Sequence, residues 1–308
     1  MSVPAFTLLA ILLAGPVPAL LSRAAWPMRA PRAAIVLWQS VAVAAALSAF
    51  SAGLAVAAKL FVPGPDGRPT ADVGREIEKL GWPLWLGSVL VLLVTLLIGA
   101  RLAFTMLRVA IDTRRRRSRH RTVVDLLGEC PDQMEGVRVL QVAEPLAYCL
   151  PGMRGRVVLS QGTLSRLSGP ELAAILRHER AHLRARHDLV LEAFTAVHTA
   201  FPRFVRSRNA LHAVGLLIEL LADDAAVRVT GPRPLARALV SCAWGQTPAG
   251  AMAAGGPSTV MRVRRLAGAP NSLTLSLLAY LAAAAVLVIP TIAVAVPWLT
   301  ELYRLFSA

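Results

Sequence analysis

Four long apolar segments dominate the chain, at residues 3–21, 33–62, 84–110 and 273–297. A helix needs roughly 20 apolar residues to cross a lipid bilayer, so each segment is predicted to be a membrane-spanning helix. Pro4, Pro16 and Pro18 interrupt the first segment, but it lacks the basic leader residues and cleavage site of a signal peptide, and we expect it to be retained. The pattern predicts a predominantly α-helical, multi-span membrane protein.

Arginines cluster beside the third and fourth apolar segments. Six follow the third segment and three precede the fourth: Arg114, Arg115, Arg116, Arg117, Arg119, Arg121, Arg262, Arg264 and Arg265. Because Lys and Arg are in excess in cytoplasmic loops, the region between these segments is predicted to be cytoplasmic and both termini external. The loop at 63–82, which mixes acidic and basic residues, is predicted to be external. We expect the first arginine run to extend the third helix along the membrane surface until Pro131.

This topology divides the chain into three regions. We predict that residues 1–111 hold three spans, that residues 112–272 form a cytoplasmic α+β domain, and that residues 273–308 hold the fourth span and a short external tail. Within the middle region, short strands are predicted at 137–142 and 156–160, and helices after them.

The second half of the middle region is predicted to be helical up to a flexible connector. Residues 189–205 are apolar but include charged and proline residues, which favours a core or membrane-facing helix over a spanning one. A further helix is predicted to end near Trp244. Residues 245–258 are rich in glycine, alanine and proline and are expected to form the connector.

The composition agrees with a membrane protein and argues against nucleic-acid binding. Hydrophobic residues make up 56% of the chain, which is high for a soluble domain. The net charge of +15 comes largely from arginines beside the spans, where anionic lipid headgroups attract them, and no nucleic-acid-binding motif accompanies them. Cys130, Cys149 and Cys242 are widely separated and are expected to be reduced packing residues.

The sequence His178-Glu179-Arg180-Ala181-His182 carries the HExxH pattern of zinc proteases. Residues four apart lie on the same side of a helix, so the two imidazoles can bind one metal ion with Glu179 beside it. Ser168 and Glu171 form a capping box that predicts a helix start just before the motif. The alternative is a surface helix with two unrelated histidines, but neighbouring leucines place the motif against an apolar face, where titratable side chains need partners.

A metal site of this kind needs a third protein ligand and an open position for water. Glu219 is the best candidate, because an ionised carboxylate within the apolar sequence 214–222 would be costly to bury unpaired. The alternative is an exposed residue on an amphipathic helix. Asp223 follows one helical turn later and is expected to accept a hydrogen bond from the second ring nitrogen of a ligating histidine. Asp188 is expected to be a structural carboxylate.

The pattern His178-Glu179-x-x-His182, followed by Glu219-x-x-x-Asp223, resembles the gluzincin pattern of the BlaR/MecR-type antirepressor membrane zinc metallopeptidases. The resemblance covers roughly residues 137–240. It implies a bacterial plasma-membrane protein in which residues 112–272 form a zincin-like metallopeptidase domain. It also implies one Zn²⁺ per chain, held by His178, His182 and Glu219, with Glu179 as the catalytic base. The beta-lactam transducers carry an extracellular penicillin-binding sensor domain after their last span, and we expect no such domain in this chain.

The expected reaction is hydrolysis of peptide bonds at the cytoplasmic face. Glu179 is expected to take a proton from the attacking water and return it to the leaving amine. An extended substrate is expected to pair with an edge strand formed by Arg156, Val157, Val158, Leu159 and Ser160. The second oxyanion donor stays open among Tyr148, His187, His198, His212 and Arg228.

Three functions fit these features. The leading one is a zinc endopeptidase in regulated signalling, which by resemblance cleaves a winged-helix transcriptional repressor. The alternatives are a quality-control protease with broad membrane-protein substrates and a catalytically silent membrane signalling scaffold. The intact motif residues favour the enzymes. The expected partners are the lipid bilayer and a protein or peptide substrate, with no direct nucleic-acid contact.

Overall fold

The computed structural model describes residues 2–57, 60, 62–63, 69–70, 73–131, 134–152, 155–200, 208–242, 252–253, 258–268 and 270–307. In this part of the chain the secondary structure is mainly helical. The helices are α1 (Ser2–Ala14), α2 (Pro16–Arg23), a 3-10 helix (Trp26–Arg29), α3 (Pro31–Ala57), α4 (Val73–Leu80), α5 (Trp82–Leu127), α6 (Gln161–Arg166), α7 (Gly169–Ala185), α8 (His187–Ala200), α9 (Arg208–Thr230), α10 (Pro232–Ser241), α11 (Thr259–Leu266) and α12 (Leu273–Ser307). The strands are β1 (Val62–Pro63), β2 (Pro69–Thr70), β3 (Val137–Leu140), β4 (Ala147–Leu150), β5 (Arg156–Ser160) and β6 (Met252–Ala253).

Among the described residues, four helical segments are long and apolar enough to cross a membrane: Val3–Arg23, Pro31–Ala57, Trp82–Leu127 and Leu273–Ile292. α3 lies among the others and packs against α1, α5 and α12. Large apolar side chains of α5, among them Leu90 and Leu97, face outward and are more than half exposed. Outward-facing leucines of this kind suit a lipid environment. The predicted set of four apolar helices is confirmed.

α3 and α5 approach closely at small residues. A Cβ added to Gly53 of α3 would overlap the side chain of Thr95 of α5, and one added to Gly99 of α5 would lie 2.9 Å from the ring of Phe50. Small residues let the backbones of membrane helices come together, and van der Waals packing then holds them. These two glycines therefore set the separation of the two helices.

α5 is longer than a membrane crossing requires. Its 46 residues span about 69 Å, against about 30 Å for the hydrocarbon core, and the arginine run lies within it. The predicted continuation of the third apolar helix through the arginine run is confirmed, although the helix ends at Leu127 and not at Pro131. Its position along the membrane surface stays a prediction. Near that end Val124 packs against the sheet, and Asp125 pairs with Arg156 at 2.8 Å. α5 thus runs through the predicted boundary at residue 112.

The main sheet has four strands in the order β3-β5-β4-β6. β5 pairs in parallel with β3 and antiparallel with β4. The prediction that Arg156, Val157, Val158, Leu159 and Ser160 form an edge strand is therefore wrong, because both sides of β5 already carry a partner. The continuous apolar run from Val157 to Leu159 is typical of a strand buried on both faces, and all three residues are buried. The predicted strand at 137–142 ends at Leu140.

The helical half of the predicted domain follows its sequence signals closely. The capping box of α7 is present, with the backbone N–H of Ser168 donating to Glu171 at 2.9 Å. The predicted helix at 189–205 begins two residues earlier and is described to Ala200, and the rest lies outside the described residues. α10 is described to Ser241, so its predicted end at Trp244 lies outside them too. Most of the predicted connector at 245–258 is likewise outside the described residues. The same holds for most of the first half of the loop at 63–82.

Two buried clusters hold α7 in place. One lies between the sheet, α7 and α10 and includes Val157, Leu159, Ile175, Leu235 and Leu239. The other joins α3 and α9 to the sheet. α7 therefore sits between the sheet and α9, so that residues on its α9 side are enclosed.

Candidate metal site

The two histidines of the motif face each other inside the protein. His178 and His182 are one turn apart on α7 and are almost fully buried. Their Nε2 atoms are 3.1 Å apart. This distance requires at least one of the nitrogens to be unprotonated, or a cation between them. The helix therefore presents two imidazole nitrogens to one point.

Glu219 of α9 brings a carboxylate to the same point. Its Oε2 lies 3.4 Å from Nε2 of His178, and its Oε1 lies 3.6 Å from Nε2 of His182. Ligand atoms about 2.0–2.1 Å from a tetrahedral zinc ion are about 3.3 Å from one another. The three observed separations fall close to that value, so this donor set fits a divalent metal ion. The sequence analysis predicted Glu219 as the third ligand, and the structure brings its carboxylate to both imidazoles.

Asp223 contacts the far side of the first histidine. Its Oδ1 lies 3.0 Å from Nδ1 of His178, and the carboxylate is fully buried. Burial alone raises the pKa of Asp223, but hydrogen bonds from Arg262 and His178 outweigh it and hold the pKa well below its usual range. An ionised Asp223 at Nδ1 leaves Nε2 of His178 directed at the metal point.

Arg262 is a site residue that the sequence analysis missed. It belongs to α11 and is 1% exposed. Its Nε and Nη2 donate to the two oxygens of Asp223, at 2.8 and 2.6 Å, and its Nη1 lies 2.9 Å from Oε2 of Glu219. The sequence analysis used Arg262 only as a marker of topology. The usable signal was charge balance, because the carboxylates of Glu179, Glu219 and Asp223 together exceed the charge of one divalent ion.

Glu179 stands beside the three donor atoms. It is fully buried, and its two carboxylate oxygens accept no hydrogen bond from a nitrogen or oxygen atom of the described residues. The thiol of Cys149, a weak donor, interacts with it. Burial is the main cause that raises the pKa of Glu179, to about 7, against the opposing charge of His178. A carboxylate with this pKa can both take up and release a proton near neutral pH.

The protonation of the other donors follows from their surroundings. Burial lowers the pKa of His182 to about 3, so this imidazole is neutral and keeps a lone pair for a metal. Burial also lowers the pKa of His178, but the close carboxylates of Asp223 and Glu219 prevail and raise it to about 9. Burial raises the pKa of Glu219, whereas His178, His182 and Arg262 lower it, and the net shift is downward. A metal that binds here therefore displaces a proton from His178.

A third histidine supports His182. His187, the first residue of α8, places its Nδ1 3.0 Å from Nδ1 of His182. Burial lowers the pKa of His187 to about 4. The neighbouring Asp188, predicted to be structural, accepts a hydrogen bond from Arg117 of α5 at 2.9 Å. The turn between α7 and α8 is thus tied to the long third apolar helix.

The other candidate oxyanion donors lie away from the site. Tyr148 points to the opposite side of the sheet, where its hydroxyl lies 3.0 Å from Nε2 of His120. His198 lines an apolar cavity among α1, α3 and α5. His212 is exposed, and Arg228 lines a separate cavity. Among the described residues, His187 alone of the five candidates contacts a proposed metal ligand. The contact joins its Nδ1 to Nδ1 of His182.

Comparison with protein-family models identifies the family to which the chain belongs. The family model described as BlaR1 peptidase M56 matches residues 11–204. The chain belongs to this family. The match confirms the resemblance seen in the sequence, and together with the four apolar helices it indicates a membrane-associated metallopeptidase. The matched residues include His178, Glu179 and His182, whereas Glu219, Asp223 and Arg262 lie beyond them. No curated protein and no solved structure matched the chain.

Proposed function

We propose that this member of the BlaR1 peptidase M56 family is a zinc-dependent endopeptidase. His178, His182 and Glu219 hold one Zn²⁺, and Glu179 is the catalytic base. The observation that carries the proposal is the meeting of three donor atoms within 4.8 Å of one another, beside a buried glutamate that has no nitrogen or oxygen donor among the described residues. This site differs from the clusters of acidic residues that are common on protein surfaces. Its two histidines are buried, and its donors combine imidazole nitrogens with a carboxylate.

The residues divide the reaction between them. Zinc at such a site supplies a Lewis acid that activates water and polarises a peptide carbonyl. Glu179 accepts the proton of the attacking water at its carboxylate and gives it to the leaving amine. Asp223 and His187 hold the two imidazoles in orientation through their Nδ1 atoms, and Arg262 offsets the charge of Asp223 and Glu219.

We further propose that residues 112–272 act at the cytoplasmic face of a bacterial plasma membrane, with both termini external. The arginine run after the third span and the arginines before the fourth support this orientation. A regulatory protein, such as a winged-helix transcriptional repressor, is then the proposed substrate.

The test compares wild type with Glu179→Gln and Glu144→Gln. Glu144 is exposed and its side chain contacts no site residue, so this variant removes the same charge elsewhere. Purified wild type and both variants are expected to contain about one zinc per chain by elemental analysis. In cells, cleavage by the enzyme produces new peptide termini. These termini are expected to be present in cells that express wild type or Glu144→Gln and absent from cells that express Glu179→Gln. Zinc-free wild-type protein, or the same termini from all three proteins, would overturn the proposal.

A further inference from the structure

A second cavity lies next to the metal site, on another side of α7. It has a volume of about 620 Å³ and lies between α7, α9 and the first residues of α3 and α12. Four arginines line it, Arg32, Arg177, Arg184 and Arg228, and we call it the arginine cavity. Its volume is in the range of cavities that bind small molecules.

The arginines of this cavity have no acidic partner in the described part of the chain. Arg184 donates to the carbonyl of Arg180 at 3.4 Å, and no ion pair to a described carboxylate is formed by any of the four. The carboxylate in the lining is Asp224. Asp224 accepts hydrogen bonds from Arg265 at 2.8 and 3.1 Å and from the side-chain amide of Asn271 at 2.8 Å. Its negative charge is therefore paired with Arg265 and not with the four arginines of the cavity. The cavity therefore has an excess of positive charge that attracts an anion.

The position of the cavity indicates where that anion comes from. Pro31 and Leu273 line the cavity, and they are the first residues of two of the four apolar helices. The first turn of a helix favours negative charge through its unpaired backbone N–H groups, although Pro31 has no N–H and that of Leu275 donates to Ser272. Leu273 is 87% exposed and Tyr280, one to two turns further along α12, is 39% exposed. Tyrosine is enriched in the headgroup region of a membrane, and the partly exposed Tyr280 suits that location.

We propose that the arginine cavity binds the phosphate group of an anionic phospholipid, with its acyl chains along α12 beside Tyr280. Guanidinium groups match phosphate oxygens with paired N–H donors. The lipid would be part of the bilayer that surrounds the four apolar helices, so no diffusing ligand is required. Binding is independent of peptidase activity, and the proposal does not rest on the proposed function.

Such a lipid would touch the helix that carries the motif. Arg177, Ala181 and Arg184 form one stripe of α7 and line the cavity, and His178 and His182 form the adjacent stripe. A phosphate held by Arg177 and Arg228 would connect α7 to α9, the two helices that bring His178 and Glu219 together. The lipid therefore stabilises the relative position of the two helices.

The test uses the full chain in detergent, with lipid binding measured by native mass spectrometry. The probes are phosphatidylglycerol, the neutral phosphatidylcholine, inorganic phosphate and a hexaglutamate peptide. The cavity variant is Arg177→Gln with Arg228→Gln. The matched control is Arg115→Gln with Arg119→Gln, which removes the same charge from exposed positions of the basic run in α5. Unfolding of each lipid-free variant is recorded so that a loss of binding is compared only between folded proteins.

We expect wild type and control to bind one phosphatidylglycerol in preference to phosphatidylcholine, and the cavity variant to lose about tenfold or more in affinity. Equal losses in both double variants would show diffuse attraction of lipid by charge and overturn the proposal, as would no loss in either. Binding of inorganic phosphate or hexaglutamate with no preference for the lipid would replace the phospholipid with a soluble anion or an acidic peptide. If the cavity variant does not fold, Arg32→Gln and Arg228→Gln are tested singly against the same outcomes.

Discussion

The guanidinium of Arg262 donates two hydrogen bonds to the carboxylate of Asp223, at 2.8 and 2.6 Å, where both side chains are buried. Its third nitrogen contacts Glu219 at 2.9 Å. Arg262 belongs to α11, which leads into the fourth apolar helix, whereas Asp223 and Glu219 belong to α9. Arg262 thus connects the helix that precedes the fourth apolar helix with two residues of α9. One is Glu219, a proposed zinc ligand, and the other is Asp223, which contacts His178.

Replacing Arg262 is expected to weaken both the fold and the metal site. Arg262→Met removes the cation and leaves Asp223 buried without its charge partner, which is expected to cost about 3–5 kcal/mol of unfolding free energy. Zinc content should fall as well, because Glu219 and Asp223 lose a common anchor. Arg264→Met is the control, since Arg264 lies on the same helix and is exposed. Thermal unfolding and elemental analysis check the result, and equal behaviour of the two variants would contradict it.

Asp223→Asn is expected to reduce zinc affinity while the protein stays folded. An asparagine keeps the size of the side chain but loses the charge that holds Nδ1 of His178, and loss of such a partner typically costs 10- to 100-fold in metal affinity. Competition with a chromophoric chelator measures the change. Asp224→Asn, one residue away and bound to Arg265, should stay within about twofold of wild type. A wild-type affinity in Asp223→Asn would show that His178 does not need this contact.

Sequence reasoning reached the parts of the site that local rules determine. The spacing of His178 and His182 follows from the period of a helix, and Glu219 follows from the cost of burying a carboxylate among aliphatic residues. Arg262 was missed because nothing local distinguishes it from Arg264 and Arg265, which are less buried. Only the packing of α11 against α9 brings its side chain to Asp223.

The sheet shows the same limit. The run from Arg156 to Ser160 was correctly predicted as a strand, but its neighbours depend on how the chain returns from β3 and β4. Strand order is a long-range property, and the continuous burial signal of Val157, Val158 and Leu159 was the only local clue to a central position. The four apolar helices were predictable because length and hydropathy alone decide whether a helix can cross a bilayer.

Removing the metal is expected to destabilise the protein. Treatment with a chelator should lower the thermal unfolding midpoint of wild type, because a ligand that binds only the folded state at a thousandfold excess over its dissociation constant contributes about 4 kcal/mol. Restoring zinc should return the midpoint. His182→Ala should show a low midpoint that neither chelator nor zinc changes. A wild-type midpoint that is insensitive to chelator would argue against a bound structural and catalytic ion.

Cys130 tests the proposed orientation without any added probe residue. It is exposed just beyond α5, whereas Cys149 and Cys242 are buried. A maleimide that cannot cross membranes should therefore leave the protein unlabelled in intact cells and label it after permeabilisation. Cys130→Ser should abolish the labelling. Labelling of wild type in intact cells would place this end of α5 outside and reverse the proposed topology.

The close approach of α3 and α5 predicts opposite effects for two glycines. Gly53→Ala introduces a Cβ that overlaps Thr95, whose side chain is too short to move aside, so the helices must separate. Such overpacking costs about 1–3 kcal/mol. Gly87→Ala places the same methyl group on α5 where no atom lies within 4 Å, and better helix propensity should stabilise the protein by up to about 1 kcal/mol. Thermal unfolding in detergent should therefore show a lower midpoint for Gly53→Ala and an equal or higher one for Gly87→Ala. If Gly53→Ala leaves the midpoint unchanged or raises it, helix propensity outweighs packing at this contact, and α3 and α5 are not held by the fit between Gly53 and Thr95.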